Sequence, residues 1–169
     1  HNSDRDRKIQ SFLTEHGFGE ASRQAISGDA SFRNYQRIWN GDKSVILMDA
    51  PPPHEDVKPF VHIAEFLTRH GLSAPKILAR DVEEGFLLLE DFGDASYNKI
   101  LRGESDLENV PGEQELYGQA VDALVALHRS GVPAPLKRYD HALLMDHVLR
   151  YSEWYLPYIL RSDEAEDIA

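Results

Sequence analysis

Ser27-Gly28-Asp29-Ala30-Ser31 sets a glycine among four short side chains, between two stretches rich in strand formers. Such a segment lets main-chain N–H groups and two hydroxyls close on a phosphate, and it equally makes an ordinary surface turn. Further along, Phe86-Leu87-Leu88-Leu89 is too short an apolar run for a helix face and suits a strand buried on both sides. It breaks at once into Glu90-Asp91-Phe92-Gly93, which reads as a strand end passing into a connector between two lobes, where ligands favour the crevice. Tyr151, Trp154, Tyr155 and Tyr158 recur at helical spacing. Aromatics so placed fill a core, or else offer flat faces against which the C–H face of a sugar packs. The eight histidines include no His-Glu-x-x-His or similar ligand spacing, and no metal ligand is assigned.

Two triplets invite over-reading. Asp91-Phe92-Gly93 spells the metal-binding triplet of protein kinases, and His128-Arg129-Ser130 nearly spells their catalytic His-Arg-Asp. Kinases place the catalytic loop before the metal triplet, and the order here is reversed. His128 also falls in the last turn of an amphipathic stretch, where it packs and complements the helix terminus. Neither triplet is given a chemical role, and no catalytic residue is assigned. Asp49, Glu55, Asp56 and Glu65 read as solvated charge, although any one of them could pair with a cation near a ligand.

The elements that must position these residues follow from periodicity and punctuation. Ile9, Phe12 and Leu13 predict a helix over 4–17, with Ser3 or Asp4 as its cap and Gly17 as its stop. Strands are expected over 23–27, 32–39 and 44–48, the last two joined by a hairpin at Asn40-Gly41. Pro51-Pro52-Pro53 ends the third strand. A helix over 59–70 buries Phe60, Ile63, Ala64 and Leu67, and a second hairpin pairs 76–80 with 86–90. Beyond the connector the pattern turns helical: a short helix over 96–102, a long one over 113–130, and a last helical region over 141–160 that Pro157 kinks or ends.

Composition sets the outer limits. With 169 residues, 41% of them hydrophobic, the chain can bury a core of its own. It contains no cysteine, so disulfides and thiolate metal sites are excluded and a reducing, cytoplasmic setting is expected. No apolar run approaches a membrane span. The 18 basic against 29 acidic residues give a net charge of −11, with no basic block to attract nucleic acid or an anionic membrane. A nucleotide remains compatible, because main-chain amides can hold phosphates locally.

Taken together, the sequence resembles the aminoglycoside phosphotransferase-like kinases, in particular the bacterial sugar kinases that phosphorylate N-acetylmuramate and N-acetylglucosamine at the anomeric position. The stretches that carry the resemblance are Gly28-Asp29-Ala30-Ser31-Phe32-Arg33-Asn34-Tyr35, Met48-Asp49-Ala50-Pro51-Pro52, Glu55-Asp56 with Pro59-Phe60, residues Gly85 to Gly93, and Tyr139-Asp140 followed by Glu153-Trp154-Tyr155-Leu156. They occur in the family's order along most of the chain. The resemblance implies an α+β, protein-kinase-like fold: an antiparallel N-terminal sheet lobe with one main helix over 4–92, a hinge and linker over 93–112, and the start of a helical, truncated C-terminal lobe over 113–169.

By the same resemblance, Ser27, Gly28, Asp29, Ala30 and Ser31 would cover the phosphates of ATP, and main-chain groups of Glu90, Asp91 and Phe92 would read the adenine. Met48 stands in the cofactor site where most kinases carry a lysine, so Arg33 or Arg37 on the neighbouring strand could supply the cation instead. Trp154 and Tyr155 would face the sugar. The catalytic aspartate and the Mg²⁺ ligands are expected in a later part of the fold, so this chain alone should not turn over ATP. Four readings stay open on the sequence: an amino-sugar kinase, a kinase of aminoglycosides or other small hydroxyl compounds, a pseudokinase that only binds nucleotide, and a plain helix-rich interaction domain in which the motifs are coincidental.

Overall fold

A computed structural model of the chain describes residues 2–26, 32–131, 136 and 138–160. The chain divides into two compact units, His1–Gly131 and Val132–Ala169. The first is built on a five-stranded sheet of order β1-β2-β3-β5-β4, with β1 Ser22–Ile26, β2 Asn34–Asn40, β3 Lys43–Asp49, β4 Ile77–Asp81 and β5 Phe86–Glu90. Every neighbouring pair is antiparallel. Helix α1, Asn2–Glu15, precedes β1, and α2, Lys58–Arg69, links β3 to the β4–β5 hairpin.

The alternation of side chains along β3 and β5 explains why Phe86 to Leu89 is apolar at each position. Val45, Leu47, Phe86 and Leu88 join Ile9, Phe12 and Leu13 of α1 in one buried cluster. Met48, Leu87 and Leu89 join Val57 and Val61, at the start of α2, in another. The two central strands are thus covered on both faces, and each fully buried large side chain contributes about 1.5–3 kcal/mol.

Local boundaries differ from the periodicity in informative ways. Helix α1 begins at Asn2, so Ser3 and Asp4 lie inside its first turn instead of capping it. The β2–β3 hairpin pairs Asn40 with Lys43, so its two turn residues are Gly41-Asp42 rather than Asn40-Gly41. Gly41 has φ of 64° and takes the first turn position, where the two-residue hairpin turns I′ and II′ both need a positive φ. Between β4 and β5, the Ala50 amide donates to the Gly85 carbonyl at 2.9 Å, and a side chain at 85 would overlap the carbonyl oxygen of Ala50.

After β5 come α3, Tyr97–Leu101, and α4, Glu113–Arg129. Leu116 is the buried residue of α4, whereas Tyr117, Val121 and Leu124 are each more than half exposed. The second unit contains α5, His141–Arg150, then a π-helical turn, Tyr151–Tyr155, and α6, Leu156–Leu160. Pro157 therefore does not end the helix. Proline has no N–H for the carbonyl four residues back, and the turn ahead of it widens, with the Leu156 amide bonded to the Tyr151 carbonyl. Among the described residues, no helix is long and apolar enough to cross a membrane.

Candidate functional site

One face of β2 gathers the polar groups. Tyr35 and Arg37 stand opposite Met48 and Ile46 and so share the α2 face of the sheet, and Arg33 continues the same alternation just before the strand. Arg33 lies at the end nearest the β1–β2 connection, since Ile26 pairs with Tyr35. Its Nε donates to Glu55 Oε2 at 3.0 Å, with both side chains partly buried. Burial alone would weaken the Arg33 cation, but Glu55 and the Tyr35 hydroxyl outweigh it and raise its pKa. Arg33 and Arg37 are four residues apart, about 13 Å along an extended strand. Between them Tyr35 and Ile46 are partly exposed, so a flat ring has apolar surface to lie against.

At the other end, Arg37 closes on the segment that leaves β5. Its Nε and Nη2 donate to Asp91 at 2.7 and 3.2 Å, and its Nη1 and Nη2 to Asp94 at 2.8 and 3.0 Å. Ser44 Oγ and the Gly93 amide donate to Asp91 as well, at 2.7 and 2.8 Å. Burial would raise the Asp91 pKa, but these four hydrogen bonds to its carboxylate lower it on balance. The Arg37 guanidinium lowers that of Asp94 too, and its own pKa is raised, chiefly by Asp94 and Asp91.

The structure sorts the residues singled out in the sequence. Ser27, Gly28, Asp29, Ala30 and Ser31 lie outside the described residues; the strands on either side of them are adjacent and antiparallel. Met48 has no exposed surface and packs among Ala50, Val57, Val61 and Leu87, so it is a core residue and not a ligand contact. The placement follows from strand parity, which points it under α2. Glu90 donates its amide to the Lys76 carbonyl at 2.9 Å, which commits that N–H to the sheet. Among the described residues the main chain of Phe92 makes no hydrogen bond, and its ring is 61% exposed. The Asp91 carboxylate is saturated by four donors, about its full capacity, so it has no lone pair left for a metal. Trp154 and Tyr155 are exposed on the π-helical turn of the second unit, and Tyr155 stacks on Tyr151 with centroids 5.1 Å apart.

Of the four carboxylates left open by the sequence, Glu55 pairs with Arg33 beside the face just described. Glu65 pairs with Arg80, and Asp56 accepts from the Lys58 amide. Asp49 turns to the opposite face and meets Arg5 of α1. That contact had no signal in the sequence, because its partners stand 44 residues apart.

The profile of the phosphotransferase enzyme family matches residues 22–169. The chain belongs to this family. Within the phosphotransferase family it is similar to a protein of Pseudomonas aeruginosa named N-acetylmuramate/N-acetylglucosamine kinase, 40% identical over 155 residues, which cover 89% of this chain and 44% of that one. Proteins of the same name from Pseudomonas putida and Caulobacter vibrioides are 39% and 36% identical, over 89% and 82% of this chain and 43% and 44% of their own. The chain thus spans less than half the length of these relatives. The antiparallel five-stranded sheet with its helices is the α+β, kinase-like arrangement that the family leads one to expect.

Proposed function

We propose that the protein is an ATP-dependent kinase of a small-molecule hydroxyl, with N-acetylmuramate or N-acetylglucosamine as acceptor and a role in cell-wall recycling. The observation that carries this reading is the Arg33–Glu55 pair at 3.0 Å, an arginine-carboxylate pair beside α2, where a buried Met48 replaces the lysine usual in kinases. The α2 face of β2 then has a direction. The base lies toward Phe92, the ring of the nucleoside against Tyr35 and Ile46, and the phosphates toward Arg33 and residues 27–31. A planar guanidinium held in place by its neighbours is the side chain whose geometry best suits phosphate oxygens.

Among the described residues no three acidic or histidine side chains converge as metal ligands, and Asp91 is already engaged. The described residues therefore do not make a Mg²⁺ site of their own. In the proposed enzyme, the catalytic carboxylate and the metal ligands come from outside the described residues. The described residues alone would bind nucleotide weakly and show no acceptor-dependent turnover. The names of the relatives favour amino sugars over aminoglycosides, and exposed Trp154 offers a stacking face for such a ring.

The test is a coupled ADP-release assay on the full-length protein with each sugar and with an aminoglycoside. Sugar-dependent ADP release is expected, and Arg33→Ala should lower kcat/KM for ATP by about 10²-fold, the usual loss of one preorganised charge contact. Nucleotide binding without release to any acceptor would instead establish the pseudokinase reading.

A further inference from the structure

The Arg37 cluster is not accounted for by phosphate binding, since its guanidinium is spent on two carboxylates at the far end of the face. We propose that Arg37 is a positioning residue for the nucleotide base, holding the segment after β5 in the one course that lets it discriminate adenine from guanine. The inference rests on the nucleotide reading above.

Residues 91–96 form neither helix nor strand. Among the described residues, the side-chain ties of 91–95 to the sheet are those from Arg37 and Ser44. Arg37 and Ser44 sit on two adjacent strands whose register is fixed by seven paired positions, so the ties end on a rigid platform. The clamp is planar and two-pronged: one fork engages Asp91, whose side chain is 5% exposed, and the other engages Asp94, which is 67% exposed. Asp91 also accepts the Gly93 amide, and Gly93 takes φ of 73°, so the chain turns sharply just past Phe92. Four hydrogen bonds to Asp91 and two to Asp94 thus bracket the Phe92 main chain, whose own groups are unengaged among the described residues.

A base read by main-chain groups is discriminated by donor-acceptor matching, which depends on those groups being fixed to well under an ångström. Removing the clamp leaves the atoms that touch the base in place and removes what aims them. The effect should fall on base selectivity and on KM for ATP, not on the acceptor. Lysine keeps the charge but lacks the planar fork that grips each carboxylate at two points, so it should not restore the function.

The experiment measures kcat/KM for ATP and for GTP, KM for the sugar, and amide exchange over 91–96, in full-length wild type, Arg37→Ala, Arg37→Lys and Asp94→Asn. The ATP over GTP preference should fall about tenfold or more in both Arg37 variants, in line with the cost of a small misplacement. Sugar KM should stay within about twofold, and exchange over 91–96 should accelerate. Asp94→Asn, a surface change that leaves the core intact, should show a smaller fall of the same kind and serves as the deciding variant if the Arg37 variants do not fold. An unchanged ATP over GTP preference in folded variants overturns the positioning role and leaves the kinase reading standing. A wild type that binds neither nucleotide overturns both.

Discussion

Arg5 reaches from α1 across the sheet to Asp49, donating from Nη2 at 2.6 Å and from Nε at 3.0 Å to the same carboxylate oxygen. The same guanidinium donates to the Glu84 carbonyl at 2.6 Å and lies 4.1 Å above the centre of the Phe86 ring. Asp49 is the one charged residue among the buried side chains described. Taking away its partner leaves a nearly dry carboxylate, and that penalty is larger than the pair's net worth.

Arg5→Ala should therefore destabilise the fold by about 2–4 kcal/mol, read from urea denaturation. Asp49→Asn in the Arg5→Ala background should recover part of the loss, because a neutral amide costs less to bury. If Arg5→Ala shifts the midpoint no more than a surface change would, the pair does not hold α1 to the sheet.

The Arg37 clamp predicts a pH signature. Asp91 has its folded pKa below the unfolded value, so its contribution is fully present above an unfolded pKa of about 3.9 and is lost as pH falls through the lower folded value. Wild type should exceed Asp91→Asn in stability by about 1.5–3 kcal/mol at pH 7, the range for hydrogen bonds to a charged group. The two should converge as pH falls through the lowered folded pKa of Asp91. Denaturation curves between pH 2.5 and 7 would check this, and a constant gap across that range would contradict the assignment.

Two glycines make a matched pair. Gly85 and Gly93 have φ of 75° and 73°, so alanine pays the same left-handed penalty of about 1–2 kcal/mol at each. Only at 85 does the new Cβ meet a neighbour, the Ala50 carbonyl, whereas at 93 nothing lies within 4 Å. Gly85→Ala should cost about 1–3 kcal/mol more than Gly93→Ala, the usual range for an enforced overlap. Equal losses in thermal or urea denaturation would show that the β4–β5 turn can move off residue 50.

On α4 the contrast lies between two leucines. Leu116→Ala should cost about 2–5 kcal/mol, as for a core leucine, and Leu124→Ala less than about 0.5 kcal/mol in this chain. Leu124 belongs to an exposed apolar face with Tyr117 and Val121, and it borders a groove of about 870 Å³ lined also by Leu67, Leu72 and Tyr97. At roughly 25 cal/mol for each Å² of wet apolar surface, this face favours self-association of the isolated chain. Light scattering should rise with concentration and fall on Leu124→Lys; concentration-independent scattering in both would count against it.

Most of the fold was legible because it is written locally. The run Phe86 to Leu89 announces a strand covered on two sides, and Gly17, Gly41 and Gly71 punctuate as their φ values of 83°, 64° and 73° require. The helices over 58–69 and 113–129 follow from spacing alone. The site was only half legible. Glu90 to Gly93 was recognisable as a connector, yet its main business, the Arg37 clamp, joins residues 54 and 57 positions apart and depends on sheet register. Arg33 and Arg37 were equal candidates for the cation in the sequence, since only the fold shows which end of β2 meets Glu55; the assignment to Arg33 is our proposal. Pro157 marked a disturbance of the helix but not its form: a helix can answer a missing N–H by widening one turn, and no single residue type signals which response it makes.

The phosphotransferase profile matches from residue 22, and α1 ends at Glu15. Yet α1 supplies Ile9, Phe12 and Leu13 to the cluster that closes one side of the sheet. The start of the profile match is therefore not an edge of the folding unit. An expression boundary drawn where the family likeness starts would strip the roof from a cooperative core, and the exposed underside of β3 and β5 would then become an adhesive surface.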